Sequence, residues 1–262
     1  MHIGTAGWSI PRPIADEFPG DGQHLQRYAR VLGCAEINTS FYRSHRFEVY
    51  ERWAAQTSAD FRFSVKLPRT ITHDARLRNT RQLLRAFLAE VAGLGPRLGV
   101  ILVQLPPSLA FEPRSMRRFA DVLAEEGCTA PVVVEPRHAS WFTGAADRTL
   151  AALRIGRVGA DPALGPAALQ PGGWLGGAKD EHRAVRYHRW HGSPRMYWSS
   201  YPQAWLEERA EEMRQQDAAH IDHWCIFDNT AAGAALANAL AFQRLKGVLP
   251  APPAAQPSAH RA

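Results

Sequence analysis

Short apolar runs recur along this chain, and each closes on polar or charged side chains: Glu36-Ile37-Asn38, Phe63-Ser64-Val65-Lys66, Val103-Gln104-Leu105-Pro106-Pro107, Val132 to Val134 before Glu135-Pro136-Arg137-His138, Arg189-Trp190-His191-Gly192, and Asp228-Asn229. Parallel strands joined by helices put every strand's C-terminal end on one face, so the pattern predicts an α/β, TIM-like (β/α)8 barrel with a polar mouth. Eight strands are expected, over 2–7, 35–41, 61–67, 99–105, 131–137, 154–160, 184–190 and 223–228. Between them, 79–94 aligns Leu83, Leu84, Phe87, Leu88 and Val91 at helical spacing, and 203–217 does the same with Trp205, Leu206, Ala210 and Met213. Further helices are expected over 23–32, 45–57, 114–126 after Pro113, 145–153 and 231–245.

One interval breaks the alternation. From Pro162 to Arg183 the chain holds too many Gly and Pro for a regular helix, so the sixth helix should be missing or replaced by an irregular loop, read as part of the mouth. Residues 1–248 are read as a single barrel domain, and the Pro/Ala-rich stretch 249–262, without amphipathic period, as a disordered tail.

Composition excludes several classes. Hydrophobic residues make up 45% of the 262 and charged residues 21%, enough to bury a large core. The net charge of +6 favours anions only modestly, and no basic run marks a nucleic-acid arm. Cys34, Cys128 and Cys225 form no CxxC pair, which argues against a disulfide framework or a thiolate zinc site and fits a reducing cytosol. No signal peptide precedes Ile3-Gly4-Thr5-Ala6-Gly7-Trp8 and no apolar run reaches membrane-spanning length, so a soluble, cytoplasmic protein is expected.

The ordered motifs Ile3 to Ser9, Glu36 to Tyr42, Phe63 to Lys66 with Thr72-His73, Gln104 to Ser108, Glu135 to His138 with Ser140-Trp141, Tyr187 to Gly192, and Phe227-Asp228-Asn229 resemble an uncharacterised family of barrel proteins, the domain of unknown function seventy-two, often called YecE-like. The resemblance covers Met1 to about Val248. It implies a TIM-barrel-like fold and supplies no activity. Two positions depart from the family pattern: Pro136 stands where an aromatic is usual, and Asp228 where Asn is common.

Strand alternation puts Glu135 and Arg137 on one face with Val133, and Tyr187, Arg189 and His191 on one face of a later strand. Glu135 is read as general acid or base, with Arg137 fixing an anionic group. A buried ion pair closing the barrel top is the alternative. Lys66, in phase with Ser64, suits anion binding first and Schiff-base or proton-transfer chemistry second. His191 is a candidate proton carrier. Glu36 either faces Glu135 as a carboxylate pair suited to glycoside hydrolysis or pairs with Lys66. Asn38, Gln104 and Asn229 would orient hydroxyl or amide groups. Trp8, His73, Trp141, Trp174, Tyr197, Trp198 and Tyr201 are candidate aromatic walls.

The sequence therefore predicts a barrel whose mouth binds a small anionic, phosphorylated or carbohydrate-like molecule. Glu135, His191 and Lys66 are its catalytic candidates, and Glu36, Asn38, Gln104, Arg137, Arg189 and Asn229 its binding candidates. Whether it is an enzyme stays open, as do lysis, isomerisation and hydrolysis, the cofactor and the oligomeric state. A metal-dependent hydrolase or isomerase using Glu36, Glu135, Asp161, His138 and His191 is an alternative, though Lys66, Arg137 and Arg189 would repel a divalent cation. Single-stranded nucleic acid along Arg43, Arg46, Arg69 and Arg195 is a further alternative, against which stand the modest charge and the lack of a recognition motif, and a non-catalytic interaction protein is the third class.

Overall fold

The computed structural model describes residues 1–176, 184–215 and 221–247. Its strand segments are β1 (His2–Ala6), β2 (Cys34–Ile37), β3 (Arg62–Lys66), β4 (Leu98–Gln104), β5 (Val132–Glu135), β6 (Ile155–Arg157), β7 (Gly159–Asp161), β8 (Gly172–Gly173), β9 (Ala184–Trp190) and β10 (Ile221–Phe227). They form one sheet in the order β7-β9-β10-β1-β2-β3-β4-β5-β6-β8. Only Val158 separates β6, which pairs with β5, from β7, which pairs with β9. The Val158 N–H donates to the Val134 carbonyl at 2.9 Å, so 155–161 is one bent strand that bridges both ends of the sheet. The result is the expected barrel of eight parallel staves, with β8 added antiparallel to β6. One boundary moves: 39–41, expected as strand, is a 3-10 turn that starts as soon as β2 reaches the mouth.

Helices α1 (His24–Tyr28), α2 (Phe47–Ala55), α3 (Arg81–Val91), α4 (Pro113–Glu125), α5 (Gly144–Ala152), α6 (Pro166–Leu169), α7 (Gln203–Gln215) and α8 (Ala234–Leu245) follow the strands. The α4 start is encoded locally. Pro113 occupies the first turn, where its missing N–H costs nothing, and the Glu112 carboxylate accepts from the N–H groups of Arg114 and Ser115. The sixth helix is reduced to the four residues of α6, as the Gly and Pro content demands.

Strand alternation divides the core in two. Inward residues Cys34, Val100, Leu102, Val133, Val158, Val185, Tyr187, Trp224 and Ile226 fill the barrel, while their neighbours such as Val65, Ile101, Val103, Val134 and Phe227 pack under the helices. Trp224 stacks on Tyr187 at 5.8 Å between ring centres and plugs the interior. A Cβ at Gly99 would lie 2.6 Å from the Trp224 ring, which is why that stave carries glycine. With the interior closed below, polar chemistry is confined to the upper layer.

The 162–176 stretch corrects the expectation that this loop belongs to the mouth. It descends the outside of β6, pairs through β8 with Gly156 and Arg157, and reaches the opposite end, where the Trp174 N–H donates to the Ile155 carbonyl at 3.0 Å. Arg157 anchors the descent: 4% exposed, it ion-pairs with Asp147 of α5 at 2.8 Å and donates to the carbonyls of Ala167 and Gln170. Residues 177–183 and the expected tail 249–262 lie outside the described residues.

Candidate functional site

At the C-terminal end of the staves, side chains from β2, β3, β5 and the residue just after β10 gather around Arg189 of β9. This guanidinium, 1% exposed, spends four of its five N–H donors on protein. It grips Glu36 through Nε (2.9 Å) and Nη2 (2.6 Å), reaches Glu135 through Nη1 (2.6 Å), and touches Asp228 through Nη2 (2.9 Å). Glu36 also accepts from the Tyr187 hydroxyl at 2.8 Å, and that hydroxyl lies 2.6 Å from Ser64 Oγ. One arginine thus ties three carboxylates together. Glu36 faces Glu135 across this guanidinium, so neither the open carboxylate pair nor the Glu36–Lys66 bridge describes the arrangement.

A second layer sits toward the rim. Arg137 Nη2 donates to Glu135 Oε1 at 2.5 Å and lies 2.8 Å from His191 Nε2. The same Nε2 lies 2.8 Å from Glu135 Oε1, and His191 Nδ1 lies 3.0 Å from Asp228 Oδ2. Nε2 cannot accept from Arg137 and donate to Glu135 at once. The neutral imidazole, with its proton on Nδ1, satisfies Arg137 and Asp228, whereas the imidazolium satisfies both carboxylates and opposes Arg137. His191 therefore has two competing hydrogen-bond patterns, each matched to one protonation state.

Burial would raise the Glu135 carboxyl, but Arg137, Arg189 and His191 outweigh it and hold it well below the usual carboxylate range. Asp228 is likewise lowered, burial being overcome by Arg189 and His191. Both carboxyls therefore favour the ionised form at ordinary pH.

Lys66 is the exception. It is 8% exposed, its ammonium sits over the Phe41 ring at 4.1 Å, and among the described residues it makes no ion pair. Burial first, then the Arg189 guanidinium, push it down to about 8; Glu135, Glu36 and Asp228 act the other way without reversing the shift. Phe41 is braced edge-on by His73 at 5.0 Å, and His73 stands on a π-helical turn, Thr70–Asp74, just after β3.

The remaining candidates separate. Asn38 lines a cavity of about 380 Å³ together with Trp8, Glu36, Arg43, His45, Trp53 and Asp228, and its Oδ1 is buried without a partner. Gln104 is half-buried and donates to the Leu105 carbonyl at 3.1 Å. Asn229 is turned away from the mouth, donating to Ser199 O at 2.9 Å and Asn238 Oδ1 at 2.8 Å. Asp161 accepts from the Tyr201 hydroxyl at 2.7 Å and His138 Nδ1 lies 2.8 Å from Ser140 Oγ, so the metal-ligand set proposed from sequence is dispersed. Among the described residues no group of three or more His, Cys, Asp or Glu is disposed to hold a metal. Of the aromatics, Trp8, His73, Tyr197 and Trp198 stand at the mouth or its loops. Trp141 is buried, donating to Leu109 O at 2.9 Å, Tyr201 is buried beneath Gly192, and Trp174 lies at the far end.

Sequence reasoning passed over Asp228 as a site residue, although its strand-end position carried the signal. Tyr187 shared a face with Arg189 and was equally readable. Phe41 and the placement of Tyr197, whose ring meets His191 edge-on at 5.6 Å, depend on turn geometry with no local marker.

The family model described as "Protein of unknown function DUF72" matches residues 2–260. The chain belongs to this family. It is similar to the UPF0759 protein YecE of Escherichia coli strain K12 and of E. coli O157:H7, 37% identical in each case over 154 residues, or 57% of this chain and 53% of those proteins. The match thus spans about half the length of these curated relatives. DUF72 crystal structures from Enterococcus faecalis V583 (TM-score 0.73, 19% identity, 94% of this chain and 95% of that one) and Thermotoga maritima MSB8 (TM-score 0.73, 23% identity, 93% and 98%) share the fold. Among the described residues no helix is long and apolar enough to cross a membrane.

Proposed function

We propose that the C-terminal mouth of the barrel binds a small anionic molecule, phosphorylated or carbohydrate-like, and carries out proton transfer on it. One observation carries this reading: Lys66 is a nearly buried ammonium with no anionic partner among the described residues, because the carboxylates around it are held by Arg189, Arg137 and His191. An unpaired buried charge is costly, and a ligand anion would offset that cost. Lys66 and Arg137 are the cations that meet the ligand. Arg189 acts one step back, holding Glu36, Glu135 and Asp228 in place. His191 moves the proton, with Glu135 as its ionised partner, and Asn38 brings a buried amide oxygen that lacks a protein partner for a ligand hydroxyl to satisfy.

A thermal-shift series with inorganic phosphate, sugar phosphates, short single-stranded DNA and divalent metals, at two salt concentrations, tests this reading. A phosphomonoester at ~100 times its dissociation constant should stabilise the protein by about 2.7 kcal/mol, and Arg137→Gln or Lys66→Met should remove most of that shift. Arg189→Ala is unsuitable as the probe, since it strips three carboxylates of their counter-ion. Stabilisation by DNA alone, vanishing with salt, would move the reading to nucleic acid. Silence with every anion would refute it.

A further inference from the structure

Only three of the 31 Lys and Arg residues are lysine: Lys66, Lys179 and Lys246. Arginine supplies nearly all the positive charge of this chain, yet the barrel interior keeps a lysine at the end of β3. For binding an anion, arginine is the stronger choice, with its planar fork of donors and permanent charge. What lysine alone offers is a nitrogen that can lose its proton and present a lone pair.

The surroundings suit that use. Lys66 is 8% exposed, rests on the face of Phe41 at 4.1 Å, and makes no ion pair among the described residues that would hold its proton. The charged groups facing it are Arg189 from β9, Glu135 from β5, Glu36 from β2 and Asp228 after β10, with His73 on the turn after β3. The three carboxylates are occupied by Arg189. Its value near 8 leaves about a tenth of the amine neutral at pH 7.

Resting on the anion-binding reading of the mouth, we propose that Lys66 is a covalent site for carbonyl compounds, forming a Schiff base with a small aldehyde or ketone that carries an anionic group. The Nζ lone pair forms a bond to the carbonyl carbon while the C=O π pair moves to oxygen. Nζ gives up one proton and the oxygen gains one, giving a carbinolamine. The hydroxyl then leaves with a second proton as water and the nitrogen lone pair closes the C=N bond. Addition of water reverses each step, so no oxidant or reductant is consumed. Arg137, at the rim, is placed to hold the ligand's anion.

Reductive trapping tests the proposal. The full chain is incubated with glyoxylate, an anionic aldehyde, or with propanal, a neutral one, and cyanoborohydride, then peptide-mapped by mass spectrometry. The three lysines and the N-terminus are the only amines to compare. Glyoxylate should place one carboxymethyl group on Lys66 at least about tenfold faster than on Lys246, since a drop from 10.5 to about 8 enlarges the neutral fraction of Lys66 itself roughly 300-fold at pH 7. Arg137→Gln should cut the glyoxylate rate by a clearly larger factor than the propanal rate. Lys66→Met should lose only the modification at that position. Labelling of Lys66 no faster than Lys246 would overturn the Schiff-base proposal, even where phosphate still stabilises the protein. Fast labelling by both aldehydes, indifferent to Arg137→Gln, would keep the covalent site and overturn the anion-binding reading beneath it.

Discussion

Replacing Lys66 by methionine should make this protein more stable at neutral pH. The ammonium falls from 10.5 to about 8 in the folded state, and at 1.36 kcal/mol per unit that places the cost of holding the charge there at roughly 3 kcal/mol at pH 7. Methionine keeps the unbranched stem and loses the contact with Phe41, worth roughly 0.5–1 kcal/mol. The net gain is then about 2 kcal/mol, or about 4–8 °C in Tm for a domain of this size. Because the folded value lies below the unfolded one, the unfolded chain holds the extra proton between about pH 8 and 10.5. Wild-type stability should therefore rise with pH across that window, and the advantage of Lys66→Met should fade to nothing above it. Urea unfolding of both proteins at pH 7 and pH 10.5 measures this. Destabilisation by Lys66→Met at pH 7 would mean instead that Lys66 neutralises Glu36 or Glu135 and is not an unpaired charge.

Two further substitutions probe the same layer and its outer face. Arg189→Met leaves Glu36, Glu135 and Asp228 buried without their shared counter-ion, so it should cost about 3–5 kcal/mol in urea unfolding, with part recovered by Glu36→Gln in the same chain; a loss below about 1 kcal/mol would contradict the buried network. His188, buried beneath α7, is lowered from 6.5 to about 3 by burial and then by His223, Arg186 and Arg209. Its contribution is present above pH 6.5 and lost on acidification, about 2 kcal/mol between pH 6.5 and 5, so His188→Gln should flatten the stability-against-pH curve over that range, and an unchanged slope would show that folding does not lower the His188 imidazole.

The barrel was legible because period-two alternation and strand ends carry it. Val133, Glu135 and Arg137 point inward for the same geometric reason that Tyr187, Arg189 and His191 do, and both sets meet at the mouth. The Gly- and Pro-rich 162–176 stretch was recognisable as non-helical, but its descent along β6 depends on the Arg157–Asp147 anchor, a contact between distant positions. Burial and pairing were the harder quantities. Nothing local distinguishes Arg189, which is enclosed by three carboxylates, from Arg137 at the rim, and nothing local says that Lys66 is left unpaired. These are sums over several staves, so they emerge only once the sheet has closed.

The most direct measurement is the titration of Lys66 by nuclear magnetic resonance on protein labelled at the lysine side chain, where only three lysines contribute. One lysine should titrate near 8, be absent from Lys66→Met, and move upward when inorganic phosphate fills the mouth. All three lysines titrating near 10.5, indifferent to phosphate, would show that Lys66 is an ordinary paired cation and that the mouth holds no unpaired charge for an anion to meet.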